Sequence, residues 1–204
     1  MDIRPLAVPD AYEFTPRQHP DDRGVFLESF TRAALAEAVG HDLQLAQANC
    51  SVSTRGTLRG VHFAAVPPGQ AKYVTCVAGS GLDVVVDIRV GSPTFGRWDC
   101  VRFDEKDRRA VYLAEGLGHG FFALSESATL LYLCSQPYNP AGEGGISPVD
   151  PDLGLPWPAD VAPVMSPKDA AAPTLREAEA AGLLPTYADC LDFYATLRGD
   201  VSPR

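Results

Sequence analysis

Two histidines, a lysine and a tyrosine stand in strand-like contexts in this chain: His62 in RGVHF, His119 in GHGFF, Lys72 in AKYVTCV and Tyr132 in TLLYLC. An imidazole with an ordinary pKa of about 6.5 accepts a proton at neutral pH, which makes His62 a candidate general base. Taken alone, RGVHF fits a buried, hydrogen-bonded core histidine equally well. Tyr132 alternates with Leu130 and Cys134 on one strand face, so its phenol can project into a sandwich interior as a donor. Lys72 heads a strand beside Tyr73, a place where a lone lysine is ordinarily a solvated charge. Metal chemistry is poorly served. Metal sites in β-sandwich enzymes of this kind use two His one residue apart plus a Glu, whereas Ala64 stands two positions after His62. Cys50, Cys76, Cys100, Cys134 and Cys190 are odd in number and form no CxxC pair, which predicts reduced, mostly buried thiols.

Other chemistries lack their motifs. GSPTFGRW (91–98) places Arg97 and Trp98 where a phosphate-binding loop needs Lys followed by Ser or Thr, so it reads as a turn. Gly79-Ser80-Gly81 lacks the third glycine of a dinucleotide fingerprint, because position 84 is Val. No GxSxG nucleophile elbow occurs.

The candidate residues need strands to hold them. AKYVTCVAG, LDVVVDIRV, RWDCVRF, RAVYLAEG, HGFFAL and TLLYLCSQPY are short apolar runs punctuated by Gly, Pro and Ser, at the spacing of an all-β sandwich or barrel. No room is left for helical crossovers between parallel strands. Helix signals lie at the flanks. Thr31 caps TRAALAEAV and Gly40 stops it; Thr174 and Glu177 form a capping box ahead of a run ended by Gly182 and Pro185; a last helix is expected over 189–197. Residues 139–173, rich in Pro, Gly and Asp, read as a long functional or surface-packed loop.

With 204 residues the chain is expected to form one domain over 1–204, with its core at about 20–165 and a helical tail at about 170–200. The net charge of −9 opposes attraction to nucleic acid, so a phosphate ligand needs Arg23, Arg59, Lys72 and Lys168 to converge locally. No apolar stretch is long enough for a membrane span and no secretory leader is evident, which predicts a cytoplasmic protein.

DDRGVFLESF (21–30), AQAN (46–49), RGVHF (59–63), PPGQAKYVTCVAG (67–79), GHGFFAL (118–124) and YNPAGEGG (138–145) together resemble the dTDP-4-dehydrorhamnose 3,5-epimerase family, in order, from about residue 4 to 185. The resemblance implies a cupin-type (jelly-roll) antiparallel β-sandwich with short, mainly C-terminal flanking helices. It implies epimerisation of dTDP-4-keto-6-deoxyglucose at C3, C5 or both, with no cofactor and no metal. His62 is then the base, oriented by Asp169 of SPKD; Tyr132 returns the proton from the other side; Lys72 faces the developing enolate. Arg59 is implied to contact the diphosphate and Tyr138 to stack on the thymine. Arg23, Glu28, Gln47, Ala48, Asn49, His119, Glu143 and Lys168 match further nucleotide and sugar contacts, with Phe26 packed nearby. Arg23, Phe26 and Glu28 are implied to come from an arm of the partner subunit, hence a homodimer.

Ser147-Pro148-Val149-Asp150-Pro151 departs from the segment common in the family, and together with the tail TLREAEAAGLLPTY it resembles the branch serving antibiotic sugars, some of whose members invert only one centre. Two other readings compete: a cupin 3,4-ketoisomerase on the same sugar nucleotide, whose motifs fit less well, and a noncatalytic sugar-nucleotide binding module.

Overall fold

The computed structural model describes residues 1–199. Its strands are β1 (Asp2–Pro5), β2 (Ala11–Thr15), β3 (Gln18–Asp21), β4 (Gly24–Leu27), β5 (Gln47–Thr54), β6 (Leu58–Ala64), β7 (Lys72–Ala78), β8 (Ser80–Val86), β9 (Trp98–Asp104), β10 (Ala110–Leu113), β11 (Gly118–Ala123), β12 (Ser127–Cys134) and β13 (Glu143–Gly145). Helices are few and short: α1 (Arg32–Val39), α2 (Pro167–Ala170), α3 (Leu175–Ala180) and α4 (Tyr187–Arg198).

Six strands in the order β1-β2-β10-β7-β12-β5 pack against five in the order β13-β6-β11-β8-β9, all pairings within each sheet being antiparallel. The layer between the sheets is filled by Val74, Cys76, Val85, Val101, Phe103, Leu113, Phe121 and Leu130. Withdrawing each larger apolar side chain from water contributes roughly 1.5–3 kcal/mol, and such burial is what holds the two sheets face to face. The run Val84-Val85-Val86 is apolar at every position because β8 is covered on both sides: Val85 faces the inner layer while Val84 and Val86 join Ile146, Leu153, Leu175 and Ala178 outside. On the outer face of the six-stranded sheet, Tyr73 and Tyr112 pack beneath Leu35 and Val39 of α1 and Tyr194 of α4.

The helix signals operate as their chemistry predicts. Thr31 accepts a hydrogen bond from the Ala34 amide, and Gly40 ends α1 in the left-handed region at φ 82°. Thr174 and Glu177 form a reciprocal capping box on α3. The last helix begins at Tyr187 rather than 189, because Thr186 accepts from the Asp189 amide and so sets the cap.

The expected start of the core near residue 20 is too late. β1 and β2 complete one side of the six-stranded sheet, and Phe14 is wholly buried. DIRP is too polar to read as a strand, and its Pro5 is tolerated because β1 is an edge. Nor is 139–173 only loop: β13 pairs with β6, and SPKD forms α2. No helix among the described residues is long and apolar enough to cross a membrane.

Candidate active site

A cavity of about 270 Å³ is lined by Asn49, Ser51, Arg59, His62, Gln70, Lys72, His119, Phe121, Tyr132, Tyr138 and Glu143. Strand alternation supplies most of this lining. Asn49 and Ser51 share one face of β5, Lys72 stands in phase with inward Val74 on β7, His119 with Phe121 on β11, and Tyr132 with Leu130 on β12.

β6 is the exception. Arg59 and His62 are three apart and should point to opposite faces of a regular strand, yet both line the cavity. His119 pairs with His62 and Phe121 with Arg59, so β6 carries one residue more than β11 over this stretch. The bulge centres on Gly60, at φ +98°, where an added Cβ would lie 2.4 Å from the His119 carbonyl oxygen. Only glycine accommodates both the conformation and the close approach.

His62 Nε2 lies 2.6 Å from Oδ1 of Asp169, a buried carboxylate at the first turn of α2. Ser166 caps that turn by accepting from the Asp169 amide at 3.1 Å, and Pro167 pre-forms it. A carboxylate on one imidazole nitrogen orients the ring and stabilises its protonated form. His119 Nε2 makes a similar contact, 2.6 Å to Oδ2 of the fully buried Asp83. Burial pushes the Lys72 ammonium below the usual lysine value, while Glu143, Cys134 and Glu115 oppose the shift. Burial likewise pushes the Tyr132 phenol up to about 12, against a hydrogen-bonding contact of 3.2 Å with Ser51 Oγ. Arg59 reaches the cavity with its Nε donating to Ser53 Oγ at 3.0 Å. Among the described residues no three His, Cys, Asp or Glu side chains converge as ligands for one ion.

Of the residues expected from sequence, His62, Tyr132, Lys72, Asn49, Arg59, His119, Tyr138 and Glu143 line this cavity, and Asp169 stands behind His62. Gln47 supports from outside: its Oε1 accepts from the Tyr138 amide and its Nε2 donates to Asn49. Ala48 is exposed on the opposite phase of β5. Lys168 is exposed on α2 and outside the lining, so only Arg59 and Lys72 of the four expected cations converge. Arg23, Phe26 and Glu28 also lie apart, because β3 and β4 pair with each other and join neither large sheet. There Arg23 is paired with Asp21, Phe26 is 68% exposed, and Glu28 faces a separate groove beside Arg17, His19 and Thr31.

Ser51, Gln70, Asp83 and Phe121 are site residues that sequence reasoning missed. A signal existed for two of them. Asp83 is a carboxylate within an apolar strand, which demands a partner when buried; Ser51 belongs to the polar-every-second pattern of NCSVS.

Residues 5–177 match the family model for dTDP-4-dehydrorhamnose 3,5-epimerase. The chain is 57% identical to the dTDP-4-dehydrorhamnose 3,5-epimerase of Mycolicibacterium smegmatis, over 97% of this chain and 98% of that one. It is also 57% identical to the dTDP-4-dehydrorhamnose 3-epimerase of Streptomyces niveus, over 93% and 91% of the two chains. The crystal structure of ChmJ, a 3′-monoepimerase from Streptomyces bikiniensis in complex with dTDP-quinovose, superposes with a TM-score of 0.93 at 50% identity, covering 95% of this chain and 98% of that one.

Proposed function

The chain belongs to the dTDP-4-dehydrorhamnose 3,5-epimerase family, and from that premise we propose that it inverts C3, and then C5, of a dTDP-linked 4-keto-6-deoxyhexose in deoxysugar biosynthesis. A ketone at C4 acidifies the protons on both neighbouring carbons, so inversion needs only a base on one face and an acid on the other.

The arrangement that carries this reading is a base and an acid on opposite walls of one cavity. His62, backed by Asp169, belongs to the five-stranded sheet, and Tyr132 belongs to the six-stranded sheet. His62 removes the proton, the Lys72 ammonium faces the oxyanion that forms at C4, and Tyr132 returns a proton to the other face. Arg59 contacts the diphosphate through its planar, multi-donor guanidinium. Tyr138, 59% exposed at the cavity edge, offers a ring face to the thymine. The protein works as a cytoplasmic homodimer in which the β3–β4 hairpin carries Arg23, Phe26 and Glu28 into the partner's cavity. Its exposed Val25 and Phe26 favour such a contact.

C3 is placed first because inversion at C3 is common to the three relatives' names. The test is turnover of dTDP-4-keto-6-deoxyglucose in D2O with EDTA present, followed by NMR at each carbon. Deuterium is expected at C3 before C5, with inversion, and His62→Ala should slow it by about 100-fold to 10,000-fold. Equal rates at both carbons would refute the C3-first order. A product whose carbonyl has moved would make the enzyme a ketoisomerase, and no deuterium at either carbon would leave a binding module.

A further inference from the structure

The inward row of β5 holds two functional groups of the cavity through two serines. Ser53 Oγ accepts from Arg59 Nε at 3.0 Å, and Ser51 Oγ lies 3.2 Å from the Tyr132 hydroxyl. Among the described residues the Ser51 contact is the only hydrogen bond of that phenol. The Tyr132 ring is otherwise held by apolar packing against the inner layer and by an edge-to-face contact with His119, ring centroids 6.1 Å apart.

Resting on the reading of Tyr132 as the acid, we propose that Ser51 is the positioning residue of the reprotonation step, holding the Tyr132 hydroxyl at the cavity wall and donating to the phenolate that forms there. In that step the electron pair of the enolate C=C bond takes the Tyr132 proton and becomes the new C–H bond. The C4 oxyanion returns to a ketone, the phenolate keeps the O–H pair, and Ser51 turns its own O–H toward it. The proton held by His62 leaves to solvent, which later reprotonates Tyr132, so the cycle gains and loses nothing. A phenolate in this wall is poorly solvated: burial is the largest cause that pushes the Tyr132 ionisation up to about 12, even with Ser51 and Arg59 opposing it. Ser51 is the nearest donor to it, and Arg59 acts in the same direction as a neighbouring charge. A structural role is small by comparison. β5 is an edge strand with Cys50 and Val52 exposed on its other face, so loss of one hydroxyl removes little packing.

The experiment compares Ser51→Ala, Tyr132→Phe and the double variant with wild type, in D2O with dTDP-4-keto-6-deoxyglucose. NMR separates exchange with retention, which needs only the base, from inversion, which also needs the acid. Ser51→Ala should lower inversion by about ten-fold to a hundred-fold, the worth of a hydrogen bond to a charged group. Exchange with retention should stay near the wild-type rate, so the ratio of exchange to inversion rises. In the Tyr132→Phe background the same substitution should change neither rate, because the phenol through which Ser51 acts is gone. A wild-type ratio in Ser51→Ala overturns the proposal whether or not both rates fall, as does an equal loss of inversion in the Tyr132→Phe background. If Tyr132→Phe itself leaves the ratio unchanged, the acid reading fails and takes the Ser51 role with it. A raised ratio in Tyr132→Phe with none in Ser51→Ala removes the Ser51 role alone.

Discussion

Lys72 shows how burial sets the working range of a single residue. Desolvation favours its neutral form, so its folded pKa lies below the ordinary 10.5. The charge that would face the C4 oxyanion is therefore lost, as pH rises, earlier than for an exposed lysine. Activity is expected to fall along an alkaline limb below 10.5. Lys72→Arg keeps a cation throughout this range and should move the limb upward, even if the bulkier group lowers kcat. Profiles of kcat against pH for the two proteins decide it; a limb in the same place in both would assign the loss to another group. Lys72 also shows a limit of reading residues singly. A lysine heading a strand is ordinarily solvated, and only the inward phase it shares with Val74 places it on the cavity wall.

β6 is the element on which the site turns. Its regular continuation would send Arg59 and His62 to opposite faces; the bulge at Gly60 brings both to the cavity. Gly60→Ala meets backbone, the His119 carbonyl oxygen at 2.4 Å, as well as strain at φ +98°. A loss of about 1–3 kcal/mol is expected in denaturant unfolding, with kcat/KM falling further than stability explains as His62 and Arg59 move. Gly91→Ala isolates the conformational part, because Gly91 has φ +86° with nothing within 4 Å of the added carbon. Equal losses for the two variants would mean that close approach at β6 contributes nothing.

At the scale of the whole molecule, the β3–β4 hairpin stands outside both sheets with Phe26 exposed, while the cavity lacks the expected Arg23, Phe26 and Glu28. An arm crossing to a partner has a direct consequence. Arg23→Ala/Phe26→Ala and His62→Ala proteins, each defective alone, should complement when mixed under conditions that exchange subunits. Each mixed dimer then holds one site with both an intact His62 and an intact arm, giving about a quarter of wild-type activity at equal mixing. Activity no higher than the sum of the separate proteins would place the arm in its own subunit's site or in neither.

Much of this architecture was legible in residue order. The strand runs from AKYVTCVAG to TLLYLC become β7 to β12, because alternation and β-branched residues are local properties of a chain packed between two layers. The Thr31 cap, the Thr174–Glu177 capping box, the αL glycine after α1, and the motifs from RGVHF to YNPAGEGG were readable for the same reason: each is complete within a few residues. What only the tertiary structure decided are relations between residues far apart in sequence. His62 and Asp169, 107 positions apart in sequence, close to 2.6 Å, the pairing of His119 with Asp83 exists only across β8 and β11, and the Ser51–Tyr132 contact follows from the register of β5 against β12. Strand propensity does not encode which strands become neighbours; that choice is made by the burial of the whole inner layer.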